Sequence, residues 1–235
     1  MLEHLPEALG EALQSVRAGL TATVFHSVNL KHGMGSLQVE SLAFADHMPL
    51  PTRYTADADD GMAVSPQLQW SGVPAAATEI VLIVEDADSP TPQPWVQALA
   101  HRLPPRSGLG ATGESHAGPA PLVLEAGATG AGALAEGALG GVDGADPLVA
   151  MGRNSLLQTR WLPPDPPPGH GVHRYLFQLF ALGPGTALPE TPGRDALRQA
   201  LLERGLASGC LIGTCERPSG ALPEPTSPPL RLAAG

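Results

Sequence analysis

The chain has 235 residues and carries 13 Lys+Arg against 23 Asp+Glu, a formal net charge of -10. That balance, with no basic cluster, argues against nucleic acid and anionic membrane surfaces, both of which need clustered cations to displace counterions from phosphates. Glycine (28) and proline (26) approach a quarter of the chain and aromatics reach only 4%. A helical bundle is therefore disfavoured, and the core must rest on Leu, Val, Ile and Ala. No apolar run is long enough to span a bilayer. The opening Met-Leu-Glu-His-Leu-Pro-Glu lacks the features of a signal peptide, so the expectation is a soluble cytoplasmic protein. Cys210 and Cys215 are too few for a disulfide framework or a four-cysteine zinc site.

In chain order, Leu5, Leu9, Leu13 and Val16 form an apolar stripe on a helix over 5–18, closed by Gly19. The stripe could pack on the chain's own sheet or on a partner. Residues 37–44 alternate and predict a strand, whereas Met48–Tyr54 is too proline-rich for a central one. Ser65–Pro74 predicts a short strand between prolines. Ile80-Val-Leu-Ile-Val84 is continuous and β-branched, as in a strand covered on both faces. It runs into Glu85-Asp-Ala-Asp-Ser-Pro90, setting carboxylates at the end of a buried strand. Residues 95–103 read as strand or helix by pattern alone, but their flanking prolines bound a strand-like length.

The stretch 107–150 holds 11 glycines and 11 alanines with no aromatic, Lys or Arg, and apart from a short strand at Leu122-Val-Leu124 no order is expected in it. Beyond it come a turn at Gly152-Arg-Asn154, a rigid loop over 163–171 and an apolar central strand at Tyr175–Leu182. A helix over 195–204 with Leu197, Leu201 and Leu202 inward ends at Gly205. A final strand at 211–214 precedes a proline-rich, frayed tail.

The string Gly108-Leu-Gly-Ala-Thr-Gly113 matches a dinucleotide fingerprint only in letters, since no sound helix can follow it. No hydrolase elbow, zinc-protease motif or P-loop is present. Asp86 and Asp88 leave one buried strand, and His170, His173 and Tyr175 lead into another. If those strands are neighbours, these groups converge at the sheet rim. Taken singly they also read as turn acids and loop histidines.

Five ordered segments carry a resemblance: Ser65–Pro74, Ile83–Pro90, Gly152–Asn154, Pro166–Tyr175 and Leu211–Arg217. Together they resemble the phosphatidylethanolamine-binding protein (PEBP) family, in its bacterial Raf kinase inhibitor-like branch. The division this suggests is a lead-in at 1–36, a PEBP-like domain at 37–217 containing the Ala/Gly-rich segment, and a tail at 218–235. The resemblance implies a mainly β, Greek-key antiparallel fold with a few short peripheral helices. It also implies a rim pocket for a small anion such as phosphate or phosphoethanolamine, with no cofactor and no enzymatic activity. Position by position, the ligand-binding residues it implies are Asp86, Asp88, Pro90, Gln97, His173 and Tyr175. Arg174 should point away from its neighbours by strand alternation.

Three departures stand out. Gln97 replaces a usual histidine, Asp165 replaces a usual cysteine, and Cys215 replaces a usual tyrosine. A glutamine cannot become cationic and an added aspartate repels anions, so phosphate binding weaker than the family norm is expected. Two other roles stay open: inhibition of a kinase or protease partner, and a metal-dependent hydrolase built on Asp86, Asp88, His170 and His173. A homodimer is also implied by the resemblance.

Overall fold

The computed structural model describes residues 7–28, 35–105, 107–108, 130–140 and 149–219. Among them the strands, in chain order, are β1 (Gly35–Ser36), β2 (Gln38–Glu40), β3 (Met48–Pro49), β4 (Leu68–Val73), β5 (Glu79–Asp86), β6 (Trp95–Leu103), β7 (Ser107–Gly108), β8 (Gly130–Leu134), β9 (Ala150–Met151), β10 (His173–Leu182) and β11 (Gly205–Cys215). Three α-helices accompany them: α1 (Glu7–Ala12), α2 (Val24–Ser27) and α3 (Arg194–Arg204).

The larger sheet has the order β1-β11-β10-β5-β6-β9, with β3 also pairing with β11; the smaller has the order β2-β4-β8-β7. Strand β10 returns antiparallel beside β5, while β6 and β9 continue antiparallel on its other side. That 4-1-2-3 arrangement is a Greek key.

Strand alternation divides the core. Ile80, Leu82 and Val84 of β5, with Tyr175, Phe177 and Leu179 of β10, pack toward the smaller sheet and its Leu68, Trp70 and Leu134. Val81 and Ile83, with Phe180 and Leu182, face the opposite way under Val24, Leu197 and Leu201 of the helices. The continuous apolar run of β5 thus has both faces covered, although every strand it pairs with is antiparallel. Residues 95–103 form a strand.

The Ala/Gly-rich stretch is not empty of structure, because β8 pairs with β4 and sets Gly132 opposite Trp70. A Cβ at Gly132 would lie 2.6 Å from the indole ring, so the small residues make room for the tryptophan. Leu122–Leu124 and most of the tail lie outside the described residues.

Three expectations need correction. Among the described residues the helix over 5–18 is only α1, and Leu9 and Val16 of its stripe are exposed. Beyond Ala12 the amides of Leu13, Gln14 and Val16 keep only local turn bonds, and further on those of Ala18 and Gly19 donate to the carbonyls of Ser89 and Ala87. The strand at 37–44 shortens to β2, because the Ser41 hydroxyl donates to the Gln67 carbonyl and accepts from the Ala43 amide, turning the chain. In α3, Leu197, Ala200 and Leu201 are buried while Leu202 is exposed, five positions from Leu197 and so on another face.

Candidate functional site

Asp86 is the last residue of β5 and stands opposite Tyr175 of β10, with His173 opening that strand two residues earlier. All three are buried, between 0 and 5% exposed. His173 Nδ1 lies 2.8 Å from Asp86 Oδ2, while Asp86 Oδ1 accepts the Asp88 amide at 2.9 Å. Both oxygens of this carboxylate are therefore engaged.

The two aspartates part company. Asp88 accepts two side-chain hydrogen bonds from Arg174, at 2.7 Å each, and the Arg174 amide at 2.9 Å. Arg17 stands 3.1 Å from the same carboxylate. Arg174 points away from His173 and Tyr175, as alternation requires, and takes Asp88 with it. Burial alone would raise the Asp88 carboxyl, but hydrogen bonds and charge from Arg174, with help from Arg17, hold it below its ordinary value.

His170, from the loop before β10, completes a relay. Its Nε2 lies 2.7 Å from the Leu13 carbonyl, which can only accept, so Nε2 carries a proton. Burial pushes the His170 imidazole below its ordinary value against the opposing pull of that carbonyl, and the charges of His173 and Arg17 add to the depression. A neutral His170 protonated at Nε2 offers a bare Nδ1, and His173 Nε2 must donate to it across 2.6 Å. A further proton lies between His173 Nδ1 and Asp86 Oδ2, since facing lone pairs would repel. The relay holds three protons, one more than two neutral imidazoles and a carboxylate possess.

These shifts set a pH dependence. His170 and His101, both depressed chiefly by burial, resist protons that their unfolded counterparts accept below about pH 6.5. Their stabilisation is complete above that value and is lost as the pH falls. The depressed Asp88 adds a second loss as the pH falls below about 3.9. Thermal midpoints measured from about pH 6.5 down to pH 3 should decline in these two stages; a midpoint constant between about pH 6.5 and pH 5 would contradict the histidine assignment.

Strand pairing sets Tyr175 and Cys215 beside this relay. The Tyr175 hydroxyl is buried without a partner among the described residues, and so is Gln97 Oε1. Gln97 sits where the β5–β6 register shifts between Val84/Ala98 and Glu85/Val96, a bulge that breaks alternation at that position. Cys215 faces His173 directly across β10–β11, and its thiol is pushed up to about 11, mainly by burial. Pro90 follows the acidic turn, half-buried.

Arg217 was not singled out by the sequence, although it closes the last matching segment. It donates to Asp165 at 2.5 Å and to Asp57 at 2.6 Å, so the aspartate in the proline-rich loop does not add a bare negative charge. The signal available was an arginine two residues beyond an apolar strand, too common to be decisive.

Among the described residues, no group of three or more His, Cys, Asp and Glu could hold a metal ion. The four residues considered for a hydrolase are divided: Asp88 is taken by arginines and His170 by a backbone carbonyl. Also among the described residues, no helix is long and apolar enough to cross a membrane.

A mainly β fold with a few short helices is the architecture of a PEBP-like protein. The chain matches the family model of phosphatidylethanolamine-binding protein over residues 40–216. It is 31% identical over 183 residues to a UPF0098 protein of Methanothermobacter thermautotrophicus, covering 77% of this chain and 99% of that one. A PEBP homologue from Chlamydia trachomatis superposes with a TM-score of 0.57 at 27% identity, covering 77% of this chain and 98% of the other. Escherichia coli YbcL, described as a member of the mammalian PEBP family, gives the same TM-score and coverage at 21% identity, a likeness of fold. This chain belongs to the phosphatidylethanolamine-binding protein family.

Proposed function

We propose that the protein binds a small phosphate-bearing ligand, free phosphate or a phosphoethanolamine head group, beside the Asp86–His173 pair. The observation that carries this reading is the Tyr175 hydroxyl, fully buried and without a partner among the described residues. A buried hydroxyl left unmatched costs about 1–3 kcal/mol, and an anionic oxygen would satisfy it. Burial first, then the nearby Asp86, Cys215 and Asp165, push this phenol well above its ordinary value, so it stays a donor. The charges of Asp86 and Asp165 are already matched by His173 and Arg217, which leaves little to repel an incoming anion.

The role is binding rather than catalysis. Tyr175 and Cys215 are both held protonated, which suits donors and not nucleophiles. The unpaired Cys210 and Cys215 support a reducing, cytoplasmic setting. Five positions apart on one strand, they face opposite ways and cannot bridge each other.

Calorimetric titration with phosphate and with phosphoethanolamine tests the reading on the wild type and on Tyr175→Phe. Losing a hydrogen bond to a charged group costs about 1.5–3 kcal/mol, so Kd should rise tenfold or more. The same variant should be as stable as the wild type or slightly more so, because the hydroxyl it removes has no protein partner. Equal binding by both proteins, or none by the wild type, defeats the proposal.

A further inference from the structure

The site residues are almost wholly covered, and part of the covering comes from outside the family match, which begins at residue 40. Residues 9–19 cross both loops of the rim. Gln14 donates to the Gly169 carbonyl at 2.7 Å, and Arg17 donates to the carbonyls of His170 and Val172 at 2.8 Å each. Leu13 accepts from His170, while Ala18 and Gly19 donate to Ser89 and Ala87 beside Asp88. At Gly10 the chain lies so close to this loop that a Cβ would stand 1.9 Å from the Pro168 carbonyl oxygen.

The relay makes this cover more than passive. His173 spends its Nε2 proton on His170, whose own outer nitrogen is spent on Leu13. His170 Nδ1 thus occupies the acceptor position that a ligand oxygen would need in order to bind His173. For His173 to donate to a ligand, His170 must withdraw, and its withdrawal loosens the hold on Leu13.

We infer that residues 9–19 are a strap latched by His170, and that the strap and the anion exclude one another at His173. The inference rests on the binding reading above. It makes the site's affinity depend on a segment that contributes no ligand contact. By linkage, whatever loosens the strap tightens binding, and ligand loosens the strap by the same factor.

The test uses the full chain with inorganic phosphate and with phosphoethanolamine, reading amide hydrogen exchange at Ala18 and Gly19 alongside Kd. Gly10→Ala wedges the strap against Pro168 and reaches His170 only at its backbone amide, and His170→Ala removes the latch. Saturating ligand should speed wild-type exchange at these amides by about tenfold, within the usual range of coupling. Each variant should exchange faster without ligand and bind phosphate about tenfold more tightly.

Response to both ligands supports recognition of the phosphoryl oxygens, and response to phosphoethanolamine alone supports a head group. Wild-type binding with unchanged exchange at Ala18 and Gly19 overturns the strap and leaves the binding reading standing. So does a Gly10→Ala strap that opens without any gain in affinity. If Gly10→Ala fails to fold, Arg17→Ala takes its place with the same expectations. Absence of binding in the wild type overturns both.

Discussion

Replacing Arg194 by methionine is expected to cost about 3–5 kcal/mol, read as a lowered urea midpoint with an unchanged slope. Glu85 is fully buried, and its carboxylate accepts from Arg194 at 2.6 Å, from Gln178 at 2.8 Å and from the Val24 amide at 2.7 Å. Gln178 in turn accepts the Phe25 amide at 2.6 Å. The first two amides of α2, which no helix can satisfy internally, are therefore satisfied by side chains of β5 and β10. Arg194 supplies the only cation paired with Glu85 among the described residues, and it also donates to the Ala22 carbonyl. Methionine would fill similar volume but leave a buried charge uncompensated. Adding Glu85→Gln removes that charge while keeping an acceptor, and the double variant should recover part of the loss. A single variant within 1 kcal/mol of the wild type, on the order of experimental scatter between surface sites, would show that Glu85 is neutral or reached by water.

Asp86→Asn and Asp86→Ala should differ sharply, although both remove the same charge. In the asparagine variant, Oδ1 can still accept the Asp88 amide while Nδ2 donates to His173 Nδ1, whose proton is then no longer needed. Every hydrogen bond survives, one proton fewer is held, and stability should stay within about 1 kcal/mol of the wild type. Alanine instead strands the Asp88 amide and the His173 Nδ1 proton in a buried setting, at a cost of about 2–5 kcal/mol. Phosphate affinity should fall in both, because the carboxylate that supports the third proton of the relay is gone. Nitrogen-15 shifts of His173 would follow the proton directly. Equal destabilisation by the two variants would mean that the three-proton relay is wrong.

Gln97 lies on β6, across β5 from the strand that carries His173. Its amide is neutral, and its Oε1 is an acceptor without a partner among the described residues, which suits a protonated oxygen of a phosphate monoanion better than a dianion.

Much of the β architecture was legible along the chain because the strands that matter are long and uniform. Ile80–Val84 and Tyr175–Leu182 carry unbroken apolar runs, and such runs can be covered on both sides only in the middle of a sheet. The flanking prolines of 95–103 were enough to choose strand over helix there. Where signals were short, neighbours decided. The Leu-rich pattern at 5–16 has a helix's spacing, yet after Ala12 the chain loosens into local turns, and by Ala18 and Gly19 its amides are taken by the carbonyls of Ser89 and Ala87. Strand β8, Gly-Ala-Gly-Ala-Leu, has almost no pattern of its own, and its Gly132 leaves the bare surface that Trp70 needs opposite it.

The site divides in the same way. Residue types and order along the chain set Asp86, His173 and Tyr175 at the ends of two strands, and pairing across β5–β10 brings them into one place. Nothing in the chain's order says that Asp88 turns to Arg174, that Arg217 reaches Asp165, or that His170 takes the second nitrogen of His173. Periodicity is a property of neighbours along the chain and can be read from it. The partner of a buried charge is whichever opposite group the completed fold leaves within about 3 Å, and that is settled only when distant segments meet.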